Sequence, residues 1–360
     1  MASNKWDTID IDTSEGRVKG IAPIIISASR STDIPAFYSE WFINRLKEGY
    51  VKWINPFNGK PQYVSFHKTR VIVFWTKDAE PIIPHLKEID SRRINYYFTF
   101  TINDYEKEGF ELGVRRLDRR IDTFKRLSEK IGKEKMIWRF DPLIITDKIN
   151  VEALLDKIAK IGNGLPDYTN KLVISFADIS AYRNVQNNLR KNNVNYIEFT
   201  PETMEAVAKG LYEINKDWKL EIATCSEGID LSRYNIKKNK CIDDDLMINV
   251  FSDDKELMDF LDYDNIGSTT KANEQIQLNF IENTYEYILG KNADNSFDRW
   301  RRLKDKGQRE CCGCIISKDI GQYDTCSHHC IYCYANKTPH IAKNNYQRYL
   351  KSNKNGESII

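Results

Sequence analysis

The 360-residue sequence contains no long apolar stretch and almost no net charge. No segment approaches the roughly 18 consecutive apolar residues of a membrane-spanning helix, so we expect no membrane anchor. The formal net charge of +2 gives no overall attraction to nucleic acid, and a nucleic-acid partner is not supported. No apolar segment follows the opening Met-Ala-Ser-Asn-Lys, which predicts that no secretory signal is present and that the protein is cytoplasmic.

Histidine is scarce, with five residues, whereas eight cysteines are present and most of them are clustered near the C-terminus. The composition, 41% hydrophobic and 29% charged, is that of a globular protein and excludes a disordered chain. In a chain without a leader, clustered cysteines favour metal binding over disulfides.

Short apolar, β-branched runs recur through the first 250 residues, with helical stretches between them. They occupy residues 24–28, 71–75, 96–100, 136–140, 172–176, 196–199 and 220–223. Continuous apolar runs are typical of strands buried on both faces, as in a parallel sheet. The number of repeated units favours a barrel over an open sheet. We therefore predict an α/β fold with a (β/α) TIM-like barrel, partial or permuted, over residues 20–250, followed by a cysteine-rich iron–sulfur segment.

The remaining sequence divides by charge. Residues 251–300 carry eleven acidic and four basic residues, and we predict an acidic helical insertion there. Residues 301–341 form the cysteine-rich segment, which we expect to pack on the barrel. Residues 342–360, rich in lysine and asparagine, are expected to form a frayed basic tail.

Polar residues follow several of the predicted strands, where barrel enzymes carry their functional groups. The candidate catalytic residues are Arg30, Asp33, Arg139 and Asp141, and Lys77 and Asn103 are candidates for cofactor binding. Cationic side chains at such positions suit a carboxylate or phosphate, and the others suit hydroxyl or amine groups. The alternative is that these residues only cap helices or tie loops together.

Cys326, Cys330 and Cys333 form a C-x3-C-x2-C cluster. Three thiolates at this spacing can hold three corners of a cubane iron–sulfur cluster and leave the fourth iron open to a small molecule. A zinc ribbon would place its cysteines as two C-x2-C pairs, although a structural zinc site remains the alternative.

Four further cysteines can supply a second site. Cys225, Cys241, Cys312 and Cys314 would suffice for an auxiliary iron–sulfur cluster or a structural zinc ion. Alternatively, Cys225 and Cys241 are small buried hydrophobic residues, as free cysteines commonly are.

Several segments resemble DUF1848, a family of bacterial and archaeal proteins. The similar stretches are residues 26–38, 55–58, 73–77, 137–142, 173–176 and 304–336. The triplet, with Tyr332 before its last cysteine, also resembles the cluster motif of radical S-adenosylmethionine enzymes, including relatives of spore photoproduct lyase. In those enzymes the triplet usually follows the first barrel strand, whereas here it comes last, which implies a permuted barrel. The resemblance adds Tyr332 to the candidate cofactor-binding residues.

Three functions are compatible with these features. The resemblance implies an enzyme with a [4Fe–4S] cluster and S-adenosylmethionine, which generates a deoxyadenosyl radical in the barrel mouth and takes electrons from a donor such as ferredoxin or flavodoxin. The second is a non-catalytic iron–sulfur or zinc protein whose metal is structural or senses redox state. The third, less favoured, is a barrel hydrolase that uses the Asp and Arg residues beside a structural metal.

Overall fold

In the computed structural model, which describes residues 6–263, 299–352 and 354–360, a large parallel sheet organises the chain. The strands, in chain order, are β1 (Asp7–Thr13), β2 (Gly16–Ala22), β3 (Ile25–Ala28), β4 (Tyr50–Ile54), β5 (Pro61–Ser65), β6 (Val71–Thr76), β7 (Asn95–Thr101), β8 (Met136–Leu143), β9 (Ile145–Thr146), β10 (Lys171–Phe176), β11 (Tyr196–Ile197), β12 (Glu221–Thr224), β13 (Ile236–Lys238) and β14 (Lys318–Asp319). The α-helices are α1 (Ile34–Phe37), α2 (Ser39–Glu48), α3 (Leu86–Ser91), α4 (Leu117–Ile131), α5 (Val151–Gly162), α6 (Arg183–Lys191), α7 (Pro201–Trp218), α8 (Asp244–Phe251), α9 (Lys255–Phe260) and α10 (Pro339–Lys351).

The large sheet has eight strands in the spatial order β13-β12-β10-β8-β7-β6-β3-β14, and every neighbouring pair is parallel. The predicted α/β class with a parallel sheet is confirmed. Six of the seven apolar runs became strands of this sheet. The weakest, residues 196–199, formed the short β11, which pairs antiparallel with β9 outside it.

Both faces of the sheet are buried, which explains the continuous apolar runs. Alternate side chains of a strand point to opposite faces. Phe74, Phe98 and Trp138 belong to the larger hydrophobic core, into which α2, α4 and α5 also pack. Val73 and Ile137 point to the other face, where α8, α9 and the stretch from residue 303 to residue 316 cover them.

Helix α7 begins at Pro201 and ends at Trp218. The Thr200 hydroxyl accepts a hydrogen bond from the Thr203 amide, and the Thr203 hydroxyl accepts one from the Thr200 amide, so the two residues form a capping box. Pro201 occupies the first turn, where a missing N–H costs nothing.

A second, four-stranded sheet of order β1-β2-β5-β4 was not predicted. Most residues of β1 are exposed or half-buried, so no apolar run marks the strand. The strand exists because β1 and β2 form an antiparallel hairpin in full register from Asp7↔Ala22 to Thr13↔Gly16.

The described C-terminal residues, 342–352 and 354–360, pack on the rest of the chain, whereas the sequence predicted a frayed tail. Tyr349 of α10 is only 4% exposed and packs on Tyr38. The Trp41 indole donates a hydrogen bond to the Gly356 carbonyl at 2.7 Å, and the Lys52 amide donates one to the Glu357 carbonyl at 2.8 Å. The abundant lysines and asparagines suggested a disordered tail, but the segment contains helix α10, whose tyrosine side chains pack against the core.

The predicted insertion over residues 251–300 falls mostly outside the described residues. At the start of this range, α9 packs on the sheet. At its end, Arg299 pairs with Asp244 at 3.0 Å. Among the described residues, no helix is both long enough and apolar enough to cross a membrane.

Candidate metal centres at the carboxyl edge of the sheet

One face of the parallel sheet changes from apolar to polar toward the carboxyl ends of its strands. On β3 and β6 the apolar Ile25 and Val73 are followed, two residues later, by Ser27 and Trp75. The Trp75 indole donates a hydrogen bond to the Ser27 hydroxyl at 3.0 Å. On β8, Arg139 follows Ile137 in the same way. Because parallel strands present their carboxyl ends at one edge, these polar groups meet there.

The loop that carries Cys326, Cys330 and Cys333, here called the triplet loop (residues 325–336), lies at this same edge because it follows β14. Its backbone is fixed by the segment 110–113: the Ile331 amide donates to the Phe110 carbonyl at 3.0 Å, and the Gly113 amide donates to the His328 carbonyl at 2.7 Å. A cavity of about 120 Å³ lies beside the loop. Its lining includes Cys330, Cys333 and His329.

Asp33, predicted as catalytic, holds the triplet loop in place. Its Oδ1 caps α1 by accepting the Ala36 amide at 3.0 Å. Its Oδ2 accepts the Lys77 amide at 2.7 Å and lies 2.6 Å from the His328 Nε2. Both carboxylate oxygens are therefore used to join α1, β6 and the triplet loop, which is a positioning role.

Glu111, which no sequence pattern selected, is the centre of a buried network beside Cys330. Its Oε1 accepts hydrogen bonds from the Lys77 ammonium at 2.8 Å, from the Asn103 amide at 3.0 Å and from the Tyr332 hydroxyl. The three predicted cofactor-binding residues thus come together on one carboxylate. The fully buried Arg120 adds a guanidinium 3.6 Å from Oε2.

Charge balance keeps the Glu111 side chain ionised. Burial opposes ionisation, but the ammonium of Lys77 and the guanidinium of Arg120 outweigh it and lower the pKa of the Glu111 carboxyl. Glu111 also forms an isolated antiparallel β-bridge with Cys330, so the network and the triplet are joined through the backbone.

Burial has the opposite effect on the three thiols of the triplet. It raises the pKa of Cys326 to about 12 and raises those of Cys330 and Cys333 as well, because a thiolate is poorly solvated there. Lys77 partly offsets this for Cys330. Binding of a metal to these residues would therefore release protons.

The other predicted residues gather around the second set of thiols. Arg139 donates from Nη1 to the Cys241 sulfur at 3.1 Å and from Nε to Asp141 at 3.0 Å. The guanidinium groups of Arg30 and Arg139 lie 5.3 and 5.7 Å from the Trp75 ring centre. The sulfurs of Cys225 and Cys241 lie 3.4 Å apart, and Cys314 interacts electrostatically with Cys241 and Cys312.

The candidate residues therefore form two groups, one at each set of thiols. Asp33, Lys77, Asn103 and Tyr332 lie at the triplet, and the other three predicted residues, Arg30, Arg139 and Asp141, lie at the second set. Asn103 joins the two groups, because its side chain donates to the Asp141 carbonyl at 3.1 Å and accepts the Asp141 amide at 2.9 Å.

Among the described residues, the ligand atoms of Asp243, Asp244 and Asp245 are the only group of three or more that lies within 4.8 Å of one another. Asp244 is already paired with Lys240 and Arg299, which accounts for that cluster.

No three cysteine sulfurs in the described ranges lie within 4.8 Å of one another. A single tetrahedral zinc ion needs sulfur separations of about 3.8 Å, given Zn–S bonds of about 2.3 Å. A cubane cluster holds its thiolates farther apart because each binds a different iron.

Gly113 is required by the close approach of the segment 110–113 to the triplet loop. A Cβ at this position would lie 2.4 Å from the Ser327 carbonyl oxygen and 2.9 Å from that of His328. Gly113→Ala is expected to displace the loop and lower the free energy of unfolding by about 1–3 kcal/mol, measured in urea. Gly228→Ala is the control, because no atom lies within 4 Å of a Cβ there. Equal stability of the two variants would contradict this packing.

A family model described as "Domain of unknown function (DUF1848)" matches residues 25–335. The chain belongs to the DUF1848 family. The match includes the parallel sheet from β3 to β14 and both sets of thiols, and it confirms the resemblance seen in the sequence. No curated protein matches the chain.

Among solved structures, a Bacteroides thetaiotaomicron VPI-5482 protein provisionally named an alpha-L-fucosidase is similar over 66% of this chain and 90% of its own. Its sequence identity is 8% and its TM-score is 0.24, so the similarity carries no argument about activity.

Proposed function

We propose that this DUF1848 protein is an iron–sulfur enzyme of the radical S-adenosylmethionine type, with Cys326, Cys330 and Cys333 as the ligands of a [4Fe–4S] cluster. The observation that carries the proposal is the C-x3-C-x2-C triplet on a loop held at the carboxyl edge of a parallel sheet. When bound, such a cluster supplies the electron that cleaves S-adenosylmethionine and starts radical chemistry.

The surroundings of the triplet fit a cluster. Cys330 and Cys333 line a cavity, so bound iron would be reachable by a small molecule. Three polar atoms of the triplet loop are buried without a hydrogen-bond partner: Ser327 Oγ, His329 Nδ1 and Asn336 Oδ1. Such atoms are rare in folded proteins. The hydroxyl of Ser327 and the ring of His329 can donate to cluster sulfur, which would satisfy them.

The protein's own residues would position and balance this site. The Glu111 network fixes Tyr332, which precedes the last ligand, and places the Lys77 ammonium close to Cys330. A positive charge at this position would stabilise a thiolate ligand. Asp33 would hold the loop through His328. An electron donor such as ferredoxin or flavodoxin would complete the cycle.

We also infer that the sheet closes into a barrel. The support is the segment 312–319, which reaches both edges: the Ile315 amide donates to the Ile242 carbonyl at 3.2 Å just after β13, and β14 pairs with β3. The cluster would then lie at the mouth of a permuted barrel, after its last strand.

The test is purification without oxygen, followed by measurement of iron, sulfide and deoxyadenosine. We expect deoxyadenosine to form from S-adenosylmethionine only after reduction. A triplet that binds zinc and no iron would reject the proposal. An iron–sulfur cluster that cleaves no S-adenosylmethionine would favour the non-catalytic alternative. One observation favours that alternative: hydrogen bonds hold the triplet loop against Asp33 and the segment 110–113, as expected for a loop that carries a structural metal.

A further inference from the structure

The second set of thiols joins three distant parts of the chain. Cys225 follows β12, Cys241 follows β13, and Cys312 and Cys314 precede β14. The sulfurs of Cys225 and Cys241 are 3.4 Å apart. The thiol of Cys314 interacts electrostatically with those of Cys241 and Cys312. Cysteines that serve only as small hydrophobic residues would not be expected to gather in one place from three distant parts of the chain.

The local backbone is shaped for this meeting. A Cβ on Gly313 would lie 3.0 Å from the Lys240 Cγ and 3.3 Å from the Asn239 carbonyl oxygen, so glycine lets the 312–314 turn approach the end of β13. The Trp300 indole holds the turn from the other side by donating to the Gly313 carbonyl at 2.9 Å.

Two of the four sulfurs also accept hydrogen bonds from N–H donors, as thiolate ligands do. The Cys241 sulfur accepts hydrogen bonds from Arg139 Nη1 and from the side-chain Nδ2 of Asn239, both at 3.1 Å. Cys314 accepts the backbone amides of Cys241 at 3.2 Å and Ile242 at 3.4 Å. Neutral thiols are weak acceptors, so these four N–H groups would be better satisfied by thiolates bound to a metal.

A buried guanidinium nitrogen without a hydrogen-bond partner is a second observation at this site. The Nη2 of Arg30 is fully buried and forms no hydrogen bond. The Arg30 side chain interacts electrostatically with Cys314, Asp319 and Cys241. An unsatisfied guanidinium nitrogen is costly unless negative charge faces it, and thiolates bound to a metal would provide that charge.

We propose that Cys225, Cys241, Cys312 and Cys314 form a second metal centre, separate from the triplet, in which four thiolates bind a thiophilic metal. Four thiolates suit both an iron–sulfur cluster and a zinc ion, but a zinc ion would have to draw the sulfurs closer together, since no three in the described ranges lie within 4.8 Å of one another. Each thiol loses its proton to solvent on binding, and no oxidation or reduction is needed. The centre joins the segment before β14 to the opposite edge of the sheet, and it does not depend on the proposed radical chemistry.

The test begins from a chain in which Cys326, Cys330 and Cys333 are all replaced by Ala, so that only the second set can bind. Purified without oxygen, this variant is expected to retain one metal centre: either iron with an equal amount of sulfide, or about one zinc per chain. Adding Cys225→Ala and Cys314→Ala should remove that metal. Adding Cys311→Ala should not, because this exposed thiol contacts the Ser226 carbonyl instead.

A metal titration keeps the test decisive if the multiple variants fold poorly. Cobalt added to metal-free protein that carries only the triplet replacements should give the absorption of cobalt bound to thiolates, and Cys225→Ala should weaken it. A folded triplet variant that holds no metal and gives no such absorption would overturn the proposal. Metal loss on Cys311→Ala would also overturn the assignment, since that thiol is not one of the four.

Discussion

Cys330→Ala is expected to abolish deoxyadenosine formation and to remove the iron and sulfide held by the triplet. A cubane with two remaining protein ligands is bound too weakly to persist, so the loss should exceed the roughly 10–100-fold effect of changes behind metal ligands. The fold should survive, because the bridge from residue 330 to Glu111 and the hydrogen bond of Ile331 to Phe110 use backbone atoms. Iron and sulfide should be measured as the difference from the unmodified protein.

The control for Cys330→Ala is Cys311→Ala, which removes an exposed thiol outside both sets. This variant should keep its visible absorption and its activity. If Cys330→Ala retained the cluster spectrum and still cleaved S-adenosylmethionine, the triplet would not be the site of the chemistry.

Glu111→Ala is expected to lower the free energy of unfolding by about 3–5 kcal/mol, because it leaves Lys77 and Arg120 buried without their carboxylate. Urea unfolding followed by circular dichroism measures this. The matched control is Glu213→Ala, which breaks an exposed pair with Lys216 and should cost less than about 1 kcal/mol. Similar losses for the two variants would mean that the Glu111 network contributes little.

The same carboxyl gives a pH dependence of known sign. Because the folded protein lowers the pKa of Glu111, the stabilisation is fully present above its unfolded value of about 4.3 and is lost as the pH falls through the folded pKa. The difference in unfolding free energy between the unmodified protein and Glu111→Gln should therefore shrink below about pH 4.3. A difference that grows in acid would contradict the assigned direction.

The sequence was most informative where a local pattern is also the physical cause. Continuous apolar runs predicted six strands of the large sheet, because a sheet buried on both faces selects such residues; they are β3, β6, β7, β8, β10 and β12. The strands β13 and β14, of three and two residues, were missed because they are too short to form a pattern. They exist because a neighbouring strand offers free backbone groups.

The sequence predicted most of the individual residues of the candidate site, but not that they divide into two groups, one at each set of thiols. The strand-end rule found Lys77, Asn103 and Arg139, since the end of a parallel strand is a position defined by sequence. It could not find Glu111, whose burial depends on the triplet loop more than 200 residues later. The rule also could not predict that Asp33 lies at the triplet and Arg139 at the second set of thiols. Which strand ends lie close together is set by long-range packing, not by a local pattern.

The pairing of β14 with β3 has a consequence for biosynthesis. Lys318 aligns with Ile26, so the β3 edge of the sheet stays uncovered until residue 318 has been translated, 292 residues later. At 5–20 residues per second, that interval is roughly 15–60 seconds. During it, the open backbone of β3 can pair with another nascent chain. Prompt covering of that edge by a chaperone would be most valuable on the ribosome, before the last strand emerges.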